Sequence, residues 1–298
     1  MNNVIEIKKL TKKYDNLFSL GEINLNIPSG CIIGLIGENG AGKTTLIKSM
    51  LNIIRPDNGN VKIFNKDSIK YDYEVKKDIG IVLDDMFFPE ILTANDINSI
   101  MKDIYKNWDK DLYFDYLKKF KLPNNKAIKT MSKGMRKKLE IVTALAHHPK
   151  LLILDEPTSG LDPIVRVHIK NALSDLIEDN NSLIIISSHN LKELEDICDS
   201  YGILENGHIE TYGDLLESKA NINKYQLAFK EEVDIEMFKD FDVLYKNMEG
   251  RIITLVIRGN REEVSEKLEA FNPLILDVLN VNFEELFIYE HTGALNVK

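Results

Sequence analysis

The sequence has little cysteine and no long apolar run. It contains only two cysteines, Cys31 and Cys198, in no spacing typical of metal ligands, so we expect two reduced thiols. No apolar run approaches the roughly 20 residues that span a bilayer. The N-terminal MNNVIEIKKL lacks the apolar core of a secretory signal. If the protein works at a membrane, we therefore expect a separate chain to do the spanning.

The chain also lacks an excess of basic residues. Its 47 Asp and Glu against 38 Lys and Arg give a formal net charge of -9. This balance argues against a chain whose main task is to hold nucleic acid, because phosphate neutralisation needs a basic surface. With 298 residues, 44% hydrophobic and 29% charged, the composition is that of a globular protein with one large domain or two.

One segment, CIIGLIGENGAGKTTLIKSML, joins an apolar run, a glycine-rich loop and a helical pattern. Residues Cys31 to Ile36 suit a buried parallel strand, and the loop that follows matches G-x-x-x-x-G-K-[ST]. Its glycines let backbone N–H groups approach phosphate oxygens; Lys43 offers charge to the β- and γ-phosphates, and Thr44 offers a hydroxyl to Mg²⁺. The residues expected to contact nucleotide are Asn39, Gly40, Ala41, Gly42, Lys43, Thr44 and Thr45.

A second apolar run, within LLILDEPTSGLD at residues 151–162, ends in two adjacent carboxylates, Asp155 and Glu156. The carboxyl ends of parallel strands form the crevice in which α/β sheets bind ligands. We expect Asp155 to hold Mg²⁺ through water, and Glu156 to orient and deprotonate the attacking water. Two acids after a strand are common on protein surfaces, but here a phosphate loop precedes them.

Two further features stand out. One is a histidine that follows a predicted strand, and the other is the start of a predicted helix. A third apolar run, in NSLIIISSHN at 181–190, places His189 at the same expected sheet edge, where it would hydrogen-bond the γ-phosphate. The stretch MSKGMRKKLEI at 131–141 predicts a helix that starts near Ser132. Such a start exposes N–H groups that suit an anion, yet nothing near it in sequence resembles a substrate site.

The order of phosphate loop, Ser-x-Gly helix start, LLILDEPTSGLD and SSHN resembles the ATP-binding subunit of an ABC transporter, over about residues 1–215. The resemblance implies an α/β P-loop ABC ATPase with a mixed sheet core, an antiparallel β subdomain and a helical subdomain. It implies ATP and Mg²⁺ as cofactors. It also implies that Tyr14 stacks on adenine and that His189 is the switch histidine.

The same resemblance implies a head-to-tail dimer with two ATP molecules between the chains. In the family, the signature sequence binds the γ-phosphate held by the other subunit. Here Ser132 and Gly134 would serve that role, so the anion at this helix start would belong to a partner copy. The loop from Ser159 to Asp162 would cross the dimer interface.

Two places depart from the family pattern. Lys133 stands for the first glycine of the signature and Met135 for its glutamine, whereas Ser132 and Gly134 are kept. Asp84 falls where the family usually has a glutamine that contacts Mg²⁺ and the membrane partner. A carboxylate is a good Mg²⁺ ligand, so we expect Asp84 to contact the metal, while its coupling role stays open.

The pattern along the chain predicts an ABC-type ATPase domain at residues 1–220, with a helical subdomain at about 91–148, and a small α/β appendage at 221–298. Alternating runs before the phosphate loop predict antiparallel strands. The sequence of the appendage predicts strands, a hairpin with Glu249 and Gly250 at its turn, and a helix from Arg261 to Phe271. It carries no catalytic cluster, so we expect it to stabilise the dimer or contact a partner.

These features predict an ATPase that powers a membrane exporter of peptides, antibiotics or lipids. We expect a cytoplasmic homodimer, peripheral on the inner face of the membrane through a separate transmembrane permease, with no nucleic acid partner. An alternative is a soluble ABC ATPase acting on ribosomes, although such proteins usually carry two ATPase units and a basic surface. A chromosome-repair ATPase would need a long coiled coil between Lys43 and Asp155, which only about a hundred residues separate. A small-molecule P-loop kinase would leave the Ser-x-Gly helix and SSHN unexplained.

Overall fold

The chain forms two compact units, Met1–Tyr212 and Gly213–Lys298, which divide a few residues before the boundary expected from the sequence. The computed structural model describes residues 3–14, 18–84, 88–157, 161–231 and 233–291. Within these ranges, no helix is both long enough and apolar enough to cross a bilayer.

The first unit alternates strands and helices along the chain. Its strands, within the described ranges, are β1 (Asn3–Tyr14), β2 (Phe18–Pro28), β3 (Cys31–Ile36), β4 (Asn58–Ile63), β5 (Lys66–Asp67), β6 (Ile79–Val82), β7 (Leu151–Asp155), β8 (Leu183–Ser188), β9 (Ser200–Glu205) and β10 (His208–Asp214). Its α-helices are α1 (Lys43–Met50), α2 (Asp72–Lys76), α3 (Ala94–Ile104), α4 (Lys110–Lys119), α5 (Lys133–Leu145), α6 (Pro163–Asn180) and α7 (Leu191–Glu195).

Four strands form an antiparallel sheet in the order β2-β1-β4-β5. Apolar side chains alternate with polar ones along β1 and β2, and Ile5, Ile7, Ile23 and Ile27 are buried in the core. This period of two is what a strand with one buried face requires. The predicted antiparallel β subdomain is therefore present.

A six-stranded sheet in the order β10-β9-β3-β8-β7-β6 carries the parallel strands. β3 pairs in parallel with β8 and β9, and β7 pairs in parallel with β6 and β8. β9 and β10 are joined by only two residues, a connection possible only between antiparallel strands, so the sheet is mixed as predicted. Because Ile36 pairs with Ser188 and Asp155 pairs with Ser187, the central strands β3, β8 and β7 end at one edge.

The helices α3, α4 and α5 form the predicted helical subdomain. α3 begins with a capping box, in which Thr93 and Asp96 each accept a hydrogen bond from the other's backbone N–H. Tyr113 and Leu117 of α4 are fully buried. Ser132 is the N-cap of α5, and its hydroxyl accepts a hydrogen bond from the N–H of Met135, so this helix begins where the sequence predicts.

The second unit is a four-stranded antiparallel sheet with helices. Its elements, within the described residues, are α8 (Leu215–Asn221), β11 (Ile222–Ala228), β12 (Asp242–Glu249), β13 (Ile252–Arg258), α9 (Arg261–Glu269), β14 (Ile275–Leu279) and α10 (Phe283–His291). The strand order is β12-β13-β11-β14. The predicted hairpin is present, but its turn lies one residue later than predicted. Glu249 still pairs with Ile252, so Gly250 and Arg251 form the loop.

The helix α9 is shorter than predicted. It ends at Glu269 rather than Phe271, because the backbone reaches the left-handed region at Asn272, where φ is 54°. Val264 and Leu268 on its inner face are buried in one cluster with apolar residues of the sheet. Phe271, the predicted end of the helix, lies outside it but packs against the same cluster.

A buried histidine lies just beyond the end of α5. The side chain of His147 is 3% exposed, its Nε2 lies 3.2 Å from the carbonyl oxygen of Ile79, and its ring stacks on Tyr105 with centroids 4.1 Å apart. Burial lowers the pKa of this imidazole to about 4. The folded chain therefore keeps His147 neutral well below the pH at which an exposed histidine is protonated.

We expect His147 to weaken the fold in mild acid. Between pH 6.5 and about 4 the unfolded chain binds a proton at this position and the folded chain does not, so stability falls as the pH is lowered through this window. From pH 7 to pH 5 the fall should be about 2 kcal/mol, since one pKa unit corresponds to about 1.4 kcal/mol. His147→Phe keeps an aromatic ring and should lack this fall, as measured by urea unfolding at both pH values. Equal falls in variant and wild type would contradict the assignment.

Candidate functional site

The glycine-rich loop between β3 and α1 depends on a residue without a side chain. Gly42 immediately precedes α1 and has a φ of 109°, a conformation that residues with a Cβ rarely adopt. A Cβ at Gly42 would also lie 2.7 Å from the ring of Phe18. The glycine therefore lets the chain turn from the strand into the helix while its N–H groups stay accessible to a ligand.

Lys43 lies inside this loop. The residue is only 7% exposed, and its Nζ donates to the carbonyl oxygens of Gly37 at 2.6 Å and Glu38 at 3.2 Å. Burial lowers the pKa of the Lys43 ammonium, while the charges of Glu156 and Asp155 act to raise it. The two acids thus help to keep the cation charged at the centre of the loop.

Asp155, the last residue of β7, is almost completely buried and links three elements. The Thr44 hydroxyl of α1 donates to Asp155 Oδ2 at 2.8 Å, and the Ser187 hydroxyl of β8 donates to Asp155 Oδ1. A hydroxyl and a carboxylate side by side form an oxygen donor set of the kind that Mg²⁺ prefers. The Thr44 and Asp155 side chains therefore fit the predicted metal. The hydrogen bond from Ser187 was not anticipated, although this residue belongs to the SSHN pattern.

Glu156 and His189 are in direct contact. His189 Nδ1 lies 2.8 Å from Glu156 Oε1, and the backbone N–H of His189 donates to the same oxygen at 3.1 Å. Glu156 has a φ of 48°, in the left-handed region that is uncommon for residues other than glycine. Such a conformation persists only where the surrounding structure holds it in place, and it concentrates at functional sites.

One cavity of about 490 Å³ brings most of the predicted residues together. Its lining consists of Phe18, Glu38, Asn39, Gly40, Gly42, Lys43, Thr44, Thr45, Asp84, Asp155 and Glu156. Asp84 thus shares a cavity with the loop and the acids, and its contact with the metal stays a prediction. His189 is joined to the cavity through Glu156, and Ala41 is buried within the loop.

The sequence did not single out Phe18, which lines the cavity beside the phosphate loop. The predicted adenine contact, Tyr14, is exposed at the end of β1, with its ring centroid 6.5 Å from that of Phe18. The available signal was an aromatic residue close to Tyr14 in sequence, at the start of an alternating strand. Stacking of Tyr14 on adenine stays a prediction.

The signature residues Ser132 and Gly134 are not among the residues that line this cavity. The basic residues after them contact their own chain: Arg136 pairs with Glu90 at 2.9 Å, and Lys138 donates to the carbonyl oxygen of Phe120 at 3.3 Å. The basic run is therefore engaged within the fold. Of the predicted interface loop, Ser159 and Gly160 lie outside the described residues, and Asp162 is the residue before α6.

Comparison with known proteins decides the family. The profile described as ABC transporter matches residues 20–159. The chain is 30% identical to the ABC transporter ATP-binding protein YtrB of Bacillus subtilis (strain 168), over 97% of this chain and 99% of YtrB. The chain belongs to the family of ABC transporter ATP-binding proteins.

Other members of this ABC family resemble the chain in sequence and in fold. The bacitracin transport ATP-binding protein BcrA of Bacillus licheniformis is 32% identical, over 96% of this chain and 94% of its own. A solved structure of an ATP-binding subunit of an ABC transporter aligns with a TM-score of 0.66 and 26% identity, covering 72% of this chain and 92% of that one. The predicted family and fold class are confirmed, and membership makes the chain an ATPase that binds ATP.

We expect Lys43→Ala to lower ATP affinity at least about tenfold, because a hydrogen bond to a charged group contributes about 1.5–3 kcal/mol and about 1.4 kcal/mol is a factor of ten in affinity. Calorimetric titration with ATP measures the effect. Lys48→Ala is the control, since Lys48 lies in the same helix and does not line the cavity. Near wild-type affinity in Lys43→Ala would contradict the role given to the loop.

Proposed function

We propose that this chain powers a bacterial exporter of peptides or antibiotics, working as a head-to-tail homodimer on a separate transmembrane permease. The observation that carries the proposal is the composition of the cavity. It has a phosphate loop and the two acids, of which Glu156 is bonded to His189, but the signature helix start does not line it. A second copy, turned head to tail, would bring Ser132 and Gly134 to the exposed side of the bound phosphates.

In this proposal the residues of the cavity divide the work of hydrolysis. Lys43 and the loop N–H groups bind the β- and γ-phosphates, and Tyr14 stacks on adenine. Thr44, Asp155 and Asp84 would hold Mg²⁺, whose charge neutralises the phosphate oxygens.

Glu156 orients the attacking water and accepts its proton, which is the role of a general base. His189, already bonded to the carboxylate of Glu156, keeps it in place and donates to the γ-phosphate.

Export of a peptide or antibiotic is supported by one relative, a bacitracin transport ATP-binding protein similar to this chain over most of both lengths. The proposed location is the inner face of the cell membrane, where the permease would hold the ATPase. We also propose that residues 221–298 stabilise the dimer or contact the permease. Their sheet leaves the edge strand β14 exposed at Ile275 and Leu279.

The proposal predicts that Glu156→Gln traps the dimer. The amide keeps the shape of the side chain but cannot accept the proton, so ATP binding should persist while hydrolysis falls at least about a hundredfold, at the lower end of what a general base contributes. Analytical ultracentrifugation with ATP and Mg²⁺ should then show a dimer with nucleotide. Glu178→Gln, an exposed change of the same charge on α6, is the control. Normal hydrolysis by Glu156→Gln would remove this residue from the base role.

The permease is tested by affinity purification of the Glu156→Gln chain from membranes of its own host. We expect an integral membrane protein to co-purify, and its loss when the surface of the helical subdomain is altered. Co-purification of ribosomes instead would favour the soluble alternative and contradict the transport role.

A further inference from the structure

A buried lysine in α5, the helix that begins at the signature, has no role in the proposed function. Lys137 lies in the second turn of α5 and is only 4% exposed. Its Nζ donates to the carbonyl oxygen of Leu83 at 2.8 Å and lies 3.5 Å from that of Asp155. A buried ammonium is costly unless backbone or side-chain acceptors satisfy it, so these contacts fix where Lys137 can lie.

Both carbonyls belong to peptides that lead into residues of the cavity. The carbonyl of Leu83 is in the peptide bond to Asp84, and that of Asp155 is in the peptide bond to Glu156. Asp84 and Glu156 both line the cavity. One ammonium therefore lies across the carboxyl ends of the neighbouring parallel strands β6 and β7, at the points where the two carboxylates begin.

The peptide before Glu156 leads into a backbone conformation that needs support from its surroundings. Glu156 is held at a φ of 48°. On one side of this peptide the N–H of Glu156 donates to the carbonyl of Ser187 at 3.1 Å, and on the other the Asp155 carbonyl faces Lys137. Opposed contacts of this kind keep a side chain in an otherwise disfavoured direction, which is what a positioned base requires.

The rest of α5 makes this link stiff. A Cβ on Gly80 would lie 2.7 Å from the carbonyl oxygen of Ala144, so the helix packs directly on the backbone of β6. At the other end, Arg136 pairs with Glu90 and donates to the carbonyl oxygen of Met131, which precedes the N-cap. The start of α5 and the strand ends below it are thus joined by direct contacts.

We infer that Lys137 is a positioning residue that joins the signature of each chain to the catalytic carboxylates of the same chain. The inference rests on the proposed head-to-tail dimer. There, the signature contacts nucleotide held by the partner, whereas Asp84 and Glu156 serve the nucleotide of their own chain. Lys137 then connects the two ATP sites, and it makes hydrolysis at one depend on occupation of the other.

The test compares two variants of neighbouring residues in α5. Lys137→Met keeps the length of the side chain and removes the donor. Lys138→Met removes one hydrogen bond, the one to the carbonyl oxygen of Phe120. ATPase rates are measured against ATP concentration and normalised to nucleotide-binding sites, so that unfolded protein does not count. We expect Lys137→Met to lower kcat at least about tenfold with KM within about twofold, and to bring the Hill coefficient from above 1 to about 1. Lys138→Met should behave as wild type.

Lys137→Gln keeps one N–H donor on a shorter side chain, and we expect it to fall between wild type and Lys137→Met. It also provides the test if Lys137→Met does not fold. A proportional loss of binding sites with unchanged kcat and Hill coefficient per site would overturn the inference, because that is the result of a merely structural role. So would equal effects of Lys137→Met and Lys138→Met.

A parallel measurement separates this inference from the proposed function. In the Glu156→Gln background, Lys137→Met should still form the ATP-dependent dimer, since neither the loop nor Ser132 is changed. Failure of Glu156→Gln alone to dimerise would refute the dimer on which the inference rests, and with it the inference. A normal dimer together with normal cooperativity in Lys137→Met would refute the inference alone.

Discussion

The candidate site depends on the parallel register of β3, β8 and β7. Backbone hydrogen bonds fix Ile36 beside Ser188 and Asp155 beside Ser187, so three segments distant in sequence leave the sheet at one edge. The phosphate loop and His189 follow these strands directly, and the two acids lie at the end of β7. A slip of one residue would turn Asp155 to the other face of the sheet and separate it from Thr44. The relative positions of the site residues are therefore fixed by the pairing of the strands.

This edge concentrates features that a chain without function would avoid. Lys43 is a buried cation, Asp155 a buried anion, and Glu156 is held in a left-handed conformation. Lys43 is held by carbonyl oxygens of its own loop, whereas Asp155 and Glu156 are held by hydrogen bonds to β8. One positive and several negative groups therefore lie around the cavity. In a bound complex, Mg²⁺ would offset the charge of the carboxylates, while Lys43 and the loop N–H groups would offset the charge of the phosphates.

Much of the fold follows from sequence because the signals are local. The apolar runs of β3, β7 and β8, the glycine-rich loop and the Ser132 cap each carry their own pattern within about ten residues. Contacts that join distant segments carry no such pattern. The bond from Ser187 to Asp155, the place of Phe18 in the cavity and the partners of Lys137 depend on tertiary register. The hairpin turn shows the same limit. Its position at Gly250 and Arg251 is fixed by the pairing of Glu249 with Ile252, which the local sequence does not reveal.

The central claim is that each ATP site takes its loop from one chain and its signature from another. The most direct measurement mixes two inactive proteins, one with Lys43→Ala and one with Gly134→Asp, whose aspartate puts negative charge where phosphate must approach. In the mixed dimer one site carries both defects and the other carries none. The account predicts that mixing restores ATPase activity, at most about half of the wild-type rate per dimer if the sites act independently. Mixed dimers that form with ATP but bind no nucleotide at the repaired site would contradict it.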